Sequence, residues 1–216
     1  MAFRSFSDFV SALEAAGELK RIPYEVATEL EITEFADREM KSPGGGKALL
    51  FEKPTVNGQV SSFPLAINTM GSERRMAMSL GLESIDELAR QMELILKAKP
   101  PTNIRSAWNL AMQGLDLLNA KPKHVTDGPC KEVIHRFEPA GEGKWQPTPG
   151  LVDPTLLDLP ILKCWPQDGG RFITFPCVHT KDPDTGERNL GMYRMQVYDD
   201  RTTGMHWQVH KVGARH

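Results

Sequence analysis

The sequence has few cysteines and no basic stripe, and each shortage excludes a class of protein. The three cysteines, Cys130, Cys164 and Cys177, are an odd number without Cys-x-x-Cys spacing. Neither a disulfide framework nor a zinc site is therefore indicated, and we expect buried, reduced thiols. Lysine and arginine total 26 against 28 aspartates and glutamates, and they form no cluster. This excludes the electrostatic pattern of a nucleic-acid-binding protein.

The chain also lacks long apolar runs and the loops of nucleotide-binding enzymes. Its N-terminal segment carries polar or charged residues every few positions, so it resembles neither a signal peptide nor a membrane span, and we expect a cytoplasmic protein. No Gly-x-Gly-x-x-Gly motif, Walker loop or Gly-x-Ser-x-Gly elbow occurs, so dinucleotide-binding, P-loop and esterase functions have no support. With 216 residues, 40% of them hydrophobic, the chain can form one large domain or two small ones.

The first part of the chain alternates helix and strand patterns. Short apolar runs at 48–52 and 63–68 predict strands. Amphipathic patterns predict helices at residues 6–13, 30–41, 85–96 and about 106–118. Periodicity is lost at 119–129, where turn residues concentrate. We therefore predict an α/β domain over residues 1–120 and a second domain over residues 121–216.

The second part has a different pattern, with short β-rich runs between Gly, Pro and Asp turns. The runs are residues 130–137, 171–181, 189–198 and 205–212. Turn residues at 182–187 and 199–204 each predict a hairpin loop. The second part is thus an antiparallel sheet or barrel, and the whole chain is of the α+β class. Because strand-like sequence continues almost to the last residue, we expect further strands of this sheet to lie beyond it.

Polar residues inside the last predicted hairpin call for an explanation. Under strict alternation Arg194 shares a face with Leu190, Met192 and Gln196. A guanidinium on a largely apolar face needs an anionic partner. That partner is either a carboxylate of the same protein or a phosphate or carboxylate ligand, which the planar fork binds through two bonds. His206, Gln208 and His210 lie on one face of the second run and can form a wall of the same pocket.

Asn189 and His210 are the candidate metal ligands. An amide oxygen and an imidazole nitrogen form a mixed set that suits manganese, although a lone strand histidine is more often a structural residue. If Tyr198 pairs with Met205, His210 faces Tyr193 and Asn189 lies about 13 Å further along, at a strand rise of ~3.3 Å. A shared cation therefore requires a different register, a bulge or a strong bend.

Six segments of the chain together form a family pattern. They are GELKRI (17–22), LEITEFADR (30–38), KALLFEKP (47–54), LPILKCWPQDGGRFIT (159–174), NLGMYR (189–194) and MHWQVHKVGA (205–214). In this order they resemble the UbiD family of decarboxylases, which includes the 3-polyprenyl-4-hydroxybenzoate carboxy-lyases of ubiquinone synthesis. The resemblance implies an N-terminal α/β domain followed by a flavin-binding split β-barrel. It also implies prenylated FMN, Mn²⁺ and K⁺ as cofactors for the reversible decarboxylation of aromatic or α,β-unsaturated acids, in ubiquinone or menaquinone biosynthesis.

The resemblance further implies roles for individual residues. Asn189 and His210 match the metal ligands that hold Mn²⁺ against the cofactor's phosphate. Arg194 matches the catalytic arginine. The positions that match cofactor contacts are Met192, Tyr193, Arg194, His206, Trp207, Gln208, Lys211 and Val212. Val212 departs from the family, which more often has Gly or His there.

The resemblance also implies an incomplete enzyme. The family's third metal ligand, a glutamate, and its proton-donating acid fall beyond His216, so the chain corresponds to the N-terminal part of a decarboxylase and we expect it to be inactive alone. A flavin prenyltransferase would supply the cofactor, and the full-length protein would be a homo-oligomer. The alternative is a non-catalytic flavin-binding or assembly module.

Overall fold

A computed structural model describes residues 2–96, 125–134, 137–141, 144–147 and 155–216. The chain divides into two compact units, one made of residues 1–84 and 154–216 and the other of residues 85–153. The mixture of helices and sheets confirms the predicted α+β class, and the described residues form no closed barrel. No helix in these ranges is long and apolar enough to cross a membrane. The predicted helix at 106–118 and the predicted boundary at residue 120 lie outside the described residues.

A four-stranded sheet forms the centre of the larger unit. Strand β1 (Leu19–Ala27) runs parallel to β2 (Ala48–Val56), and β3 (Gln59–Val60) and β4 (Leu65–Ile67) both pair antiparallel with β2. The first four residues of β2 are apolar and buried, as expected of a strand that is paired on both edges. The main core cluster consists of Ile22, Val26, Ile32, Leu49 and Phe51.

Three helices pack in this unit: α1 (Phe6–Ala15), α2 (Glu31–Met40) and α3 (Glu73–Leu80). The first two lie where the sequence predicts them. The hydroxyl of Ser5 accepts a hydrogen bond from the backbone N–H of Asp8 at 3.1 Å and so caps α1. Gly17, which follows this helix, has a φ of 69° and takes the left-handed conformation that favours glycine.

The smaller unit contains α4 (Ile85–Leu96) and a hairpin of β5 (Phe137–Gly141) and β6 (Lys144–Pro147). The helix begins and ends where the amphipathic pattern predicts. The predicted strand at 130–137 is wrong over its first residues, because Pro129–Lys131 form a 3-10 helix. Phe137 lies in β5, and residues 135–136 are outside the described ranges.

Five short strands and a final helical turn complete the larger unit. They are β7 (Arg171–Ile173), β8 (Cys177–Lys181), β9 (Arg188–Met192), β10 (Met195–Val197), β11 (Thr203–Met205) and α5 (Val212–Arg215). Strand β10 lies between β7 and β11 in one sheet, while β8 and β9 form a separate pair. Cys177 on β8 is exposed, so the expectation of a buried thiol is wrong at this position.

Both predicted hairpin loops are present, and an aspartate organises each. Asp182 accepts hydrogen bonds from the backbone N–H groups of Asp184 and Thr185, and Asp199 accepts them from Arg201 and Thr202. The Thr185 N–H bond is the main reason why the pKa of Asp182 lies below its ordinary value. These loops hold the two pairs of strands that frame the candidate site.

A partly buried contact joins β7 to the residue that follows β1 of the central sheet. Arg171 Nη1 donates to Thr28 Oγ1 at 2.7 Å and to the carbonyl of Ile161 at 2.8 Å. The side chains of Lys163 and Glu29 form an ion pair at 2.9 Å, and the backbones of the same two residues form a parallel β-bridge. The Arg171 contact thereby ties β7, and with it the sheet of β7, β10 and β11, to the central sheet.

Candidate functional site

The last predicted hairpin is divided between two sheets. The sequence predicts that residues 189–198 pair with 205–212, but β9 pairs with β8, and only β10 pairs with β11, with Met195 opposite Met205. The pairing of Tyr198 with Met205 is therefore wrong. Strands β8 and β9 pair without a bulge. The chain passes from one sheet to the other at Tyr193 and Arg194, so the arrangement of the site depends on this break.

Tyr193 lies buried at the break, with 3% of its surface exposed. Its hydroxyl accepts a hydrogen bond from the backbone N–H of Gly213 at 2.7 Å. The ring of Trp207 packs against it with 5.5 Å between centroids. Lys211 Nζ lies 4.9 Å from the centre of the Tyr193 ring and donates to the carbonyl of Met192 at 2.8 Å. Tyr193 thus joins β9 to the segment that leads into α5.

Asn189 is half-buried on β9, directly opposite Thr180 on β8. Its Nδ2 atom lies 3.4 Å from Thr180 Oγ1 and 3.4 Å from the Tyr193 hydroxyl. Within the described part of the chain, Oδ1 of Asn189 accepts no hydrogen bond. An oxygen left in this state can ligate a hard or borderline cation.

His210 is exposed in a turn between β11 and α5. The backbone N–H of Lys211 donates to the carbonyl of Gln208 at 2.9 Å and closes this turn around Val209 and His210. The imidazole forms no hydrogen bond or ion pair with any described residue, so its nitrogens are available. No three His, Cys, Asp or Glu side chains in these ranges come together to hold a metal ion. The Asn189 oxygen and the His210 imidazole are of the oxygen and nitrogen ligand types that manganese accepts.

Arg194 has no carboxylate partner among the described residues, and it is exposed. Its guanidinium carbon lies 4.0 Å from the centre of the Phe172 ring, which holds the group over β7 by a cation–π contact. Its carbonyl accepts a hydrogen bond from the backbone N–H of His206 at 2.9 Å. The sequence predicted either a carboxylate of the same protein or an anionic ligand as the partner of Arg194. The described residues provide no such carboxylate, so the N–H groups of the guanidinium remain available to an anionic ligand.

The other predicted residues fall into two groups. Met192, His206, Trp207 and Gln208 are exposed and present their side chains for contact. Lys211 and Val212 are half-buried at the start of α5. The structure thus brings Asn189, Met192, Tyr193, Trp207 and Lys211 together around the tyrosine, while Arg194 and His206 lie together at the beginning of the other sheet.

A cavity of about 420 Å³ lies beside this group. Its lining residues are Thr180, Lys181, Trp207, Gly213, Ala214 and His216. Sequence reasoning missed Thr180, Gly213 and Phe172. A β8–β9 pairing would have pointed to Thr180, since it places that residue opposite Asn189.

A larger cavity of about 640 Å³ lies elsewhere in this unit and contains none of the predicted site residues. Tyr24, Phe35 and Trp165 line it, together with the acidic side chains of Glu31 and Glu34. Carboxylates repel an anionic ligand, so this cavity does not suit a phosphate or a carboxylic acid. The smaller cavity is therefore the better candidate for an anionic ligand, although Arg194 is not among its lining residues.

Two domain families match the chain. The 3-octaprenyl-4-hydroxybenzoate carboxy-lyase N-terminal domain matches residues 10–95, and the 3-octaprenyl-4-hydroxybenzoate carboxy-lyase Rift-related domain matches residues 143–216. An uncharacterised protein of Archaeoglobus fulgidus is 43% identical over 216 residues, which are 100% of this chain and 40% of that protein. The chain therefore spans about 40% of the length of this relative.

Two solved structures show the same fold. The closed form of vanillic acid decarboxylase from Sedimentibacter hydroxybenzoicus has a TM-score of 0.65 at 24% identity, over 94% of this chain and 37% of that chain. An evolved dimeric form of the UbiD-class enzyme HmfF from Pelotomaculum thermopropionicum, in complex with prFMN, has a TM-score of 0.63 at 23% identity, over 96% of this chain and 39% of that chain. The two domain matches follow each other along most of the sequence, and the chain belongs to the UbiD family, the family of the 3-octaprenyl-4-hydroxybenzoate carboxy-lyases.

Proposed function

We propose that this chain is the part of a prenylated-FMN-dependent decarboxylase that holds the flavin phosphate, its cation and the substrate carboxylate. The full-length enzyme would catalyse the reversible decarboxylation of an aromatic or α,β-unsaturated acid, in ubiquinone or menaquinone biosynthesis. The family assignment and the prFMN complex of HmfF support this proposal. The observation that carries it is the guanidinium of Arg194, which is exposed and has no carboxylate partner among the described residues. Arg194 follows Tyr193 in the chain, and the Tyr193 hydroxyl lies 3.4 Å from the Asn189 amide nitrogen.

The cation would be bound by the Oδ1 atom of Asn189 and the imidazole of His210. Both groups are free of hydrogen bonds to the described residues, and together they form the mixed oxygen and nitrogen set that manganese accepts. A glutamate outside this chain would complete the site. Mn²⁺ with K⁺ would neutralise the flavin phosphate, which is the largest negative charge that this pocket has to bind.

The flavin would contact the exposed side chains of Met192, His206, Trp207 and Gln208. Tyr193 is buried, so its share of the contact would come from the backbone. Val212 would likewise contribute through its backbone, and a backbone contact does not depend on the residue that the family more often has there. Lys211 and Arg194 bring positive charge to an anionic cofactor and substrate.

Prenylated FMN, when bound, supplies the electron sink for the pair of electrons left on the substrate as CO₂ departs. Arg194 would orient the acid by binding its carboxylate through two N–H groups. The bond from the substrate carbon to the carboxylate carbon breaks, CO₂ leaves without charge, and a carboxylic acid outside this chain returns a proton to the substrate carbon. Because the product has lost the carboxylate, the Arg194 fork would bind the acid more tightly than the product.

The remaining expectations concern the full-length protein. It would act in the cytoplasm as a homo-oligomer and receive its cofactor from a flavin prenyltransferase. The dimeric form of HmfF agrees with an oligomer in this family.

The proposal is tested by measuring CO₂ release from a panel of aromatic and α,β-unsaturated acids. The full-length protein with prenylated FMN, Mn²⁺ and K⁺ should release CO₂ from at least one acid, and the same protein with unmodified FMN should not. The 216-residue chain alone should release none, since the resemblance places the family's third metal ligand and its proton donor outside it. A full-length protein that binds prenylated FMN but releases CO₂ from no acid would favour the alternative, a non-catalytic flavin-binding or assembly module.

A further inference from the structure

We propose that Tyr193 is a positioning residue whose buried hydroxyl, together with the hydroxyl of Thr180, turns the amide of Asn189 so that its oxygen faces the cation. The Tyr193 hydroxyl would also hold the segment that carries His210 against β9. This inference rests on the proposed function, because it requires that Asn189 and His210 bind one cation.

The Tyr193 ring is fixed between two glycines. A Cβ atom at Gly191 would lie 2.4 Å from ring atom Cε2, and a Cβ atom at Gly213 would lie 2.5 Å from the hydroxyl oxygen. Such distances are well below van der Waals contact, so only glycine fits on either side. The ring of Trp207 covers it as well, and only 3% of the residue is exposed. The hydroxyl oxygen is therefore held at one point relative to β9.

This oxygen sets the orientation of the Asn189 amide. A side-chain amide has two N–H donors on one side and one carbonyl oxygen on the other. The nitrogen of Asn189 faces two oxygens, Thr180 Oγ1 and the Tyr193 hydroxyl, each at 3.4 Å. The carbonyl oxygen consequently points away from both and is left for a cation. An amide without this tether could present its nitrogen instead, and an N–H₂ group cannot bind a metal ion.

Tyr193 also holds the segment around His210 in place. Its hydroxyl accepts the Gly213 N–H at 2.7 Å, while Lys211 Nζ donates to the Met192 carbonyl at 2.8 Å. His210 lies directly before these two anchors, in the turn that Lys211 and Gln208 close. The residue that orients one ligand therefore also fixes the chain that carries the other.

The two hydrogen bonds of the Asn189 amide are long, so they can orient the amide without adding much to the stability of the fold. The two Asn189 contacts, at 3.4 Å, are long for N–H···O bonds, so they contribute little to folding. Groups that orient a metal ligand nevertheless commonly change metal affinity by about 10- to 100-fold. Loss of the contact between the Tyr193 hydroxyl and Asn189 should therefore weaken cation binding strongly. The same loss should lower the stability of the fold only slightly.

The test is a Mn²⁺ titration of the full-length protein without flavin, with free Mn²⁺ followed by electron paramagnetic resonance. We expect Tyr193→Phe to raise the dissociation constant for Mn²⁺ by about 10- to 100-fold. Tyr198→Phe, which removes the hydroxyl of an exposed tyrosine outside the site, is the matched control and should bind like wild type. Asn189→Ala shows the effect of losing the ligand itself.

The outcomes are distinct. Wild-type Mn²⁺ affinity in Tyr193→Phe, with loss of affinity in Asn189→Ala, would overturn this inference and leave the proposed metal site intact. Wild-type affinity in both variants would overturn the proposed metal site and the inference together.

Thermal unfolding with and without Mn²⁺ distinguishes the positioning role of Tyr193 from a purely structural role. The positioning role predicts a smaller rise in Tm on adding Mn²⁺ to Tyr193→Phe than to wild type. An equal rise, whatever the Tm of the metal-free protein, would overturn it. If Tyr193→Phe does not fold, Thr180→Val removes the other oxygen that faces the amide and Thr180→Ser keeps it. Weaker Mn²⁺ binding in Thr180→Val alone would support the inference, and equal binding in both would overturn it.

Discussion

The hydroxyl of Tyr193 and the backbone N–H of Gly213 form a 2.7 Å hydrogen bond between the end of β9 and the helical turn α5. Gly213 is buried within that turn. Because Gly213 packs against Tyr193, replacing it with alanine has two opposing effects on stability, a gain in helix propensity and a steric clash with the tyrosine.

Gly213→Ala should destabilise the protein. In a helix, alanine is favoured over glycine by ~1 kcal/mol. Here, however, the new Cβ atom would lie 2.5 Å from the Tyr193 oxygen, which cannot move because the ring is enclosed. Overpacking of this kind costs about 1–3 kcal/mol, so it should outweigh the gain in helix propensity. Urea unfolding measures the result.

Gly128→Ala is the control for this prediction. A Cβ atom at Gly128 would have no atom of the described residues within 4 Å, and the φ of 178° at Gly128 is open to any residue. We expect no loss of stability there. A Gly213→Ala protein that is more stable than wild type would show that helix propensity dominates and that the ring is not enclosed as described.

Arg194→Lys should lower turnover on the order of 10²-fold in the full-length enzyme while flavin occupancy changes little. Lysine keeps the positive charge but loses the planar fork that binds a carboxylate through two N–H groups. Flavin absorbance gives the occupancy, and CO₂ release gives the turnover. Arg201→Lys, in the exposed loop after β10, is the matched control and should be silent. Near wild-type turnover in Arg194→Lys would show that the guanidinium does not hold the substrate.

Part of this site was predictable from sequence because its residues are unusual for a strand. Asn189, Arg194 and His210 are neither apolar nor typical of a solubilising surface, so their chemistry made them candidates, and the family resemblance assigned them roles. The break at Tyr193 was not predictable in this way. The alternation of residues 189–198 continues through it, and only tertiary contacts, the packing of Tyr193 against Gly191 and Gly213, divide the run into two strands.

The central sheet shows the same limit. Strand β2 was predicted, since its apolar run is continuous. Strand β1 was missed, because Lys20, Arg21 and Pro23 interrupt its apolar pattern and its pairing shifts register after Ile22. Most of its side chains are exposed, with Ile22 and Val26 buried in the core. Burial of two residues in nine is too weak a pattern to distinguish a strand from a loop.

A buried ion pair provides a prediction on stability and pH. Arg75 has no exposed side-chain surface, and its Nη1 atom lies 3.0 Å from Glu18 Oε2. Burial raises the pKa of Glu18, but the Arg75 hydrogen bond and the nearby charges of Lys47 and Arg74 outweigh it, so the pKa is lowered overall. A lowered pKa means that the folded state binds the proton less well than the unfolded chain. This contribution to stability is therefore complete above the ordinary glutamate pKa and is lost as pH falls through the lowered value.

Glu18→Gln should remove that contribution and leave the buried Arg75 charge without its carboxylate. Breaking a buried pair in this way costs about 3 kcal/mol or more at neutral pH. The loss should shrink as the pH is lowered, since wild type then protonates Glu18 itself. Urea unfolding at several pH values from neutral to acid measures both effects. Glu14→Gln, an exposed carboxylate paired with Arg21, should change stability little. A Glu18→Gln protein as stable as wild type at neutral pH would contradict the prediction.

The central claim is that Asn189 and His210 bind one cation, and the most direct test is the manganese content of four full-length proteins: wild type, Asn189→Ala, His210→Ala and the double variant. Elemental analysis beside flavin absorbance gives metal and cofactor in the same samples. If one Mn²⁺ bridges both residues and the flavin phosphate, each single variant should lose metal and flavin together. The double variant should then contain no less metal and flavin than the single variant that contains less. Full metal and flavin in either single variant, or losses that add in the double variant, would contradict a shared site.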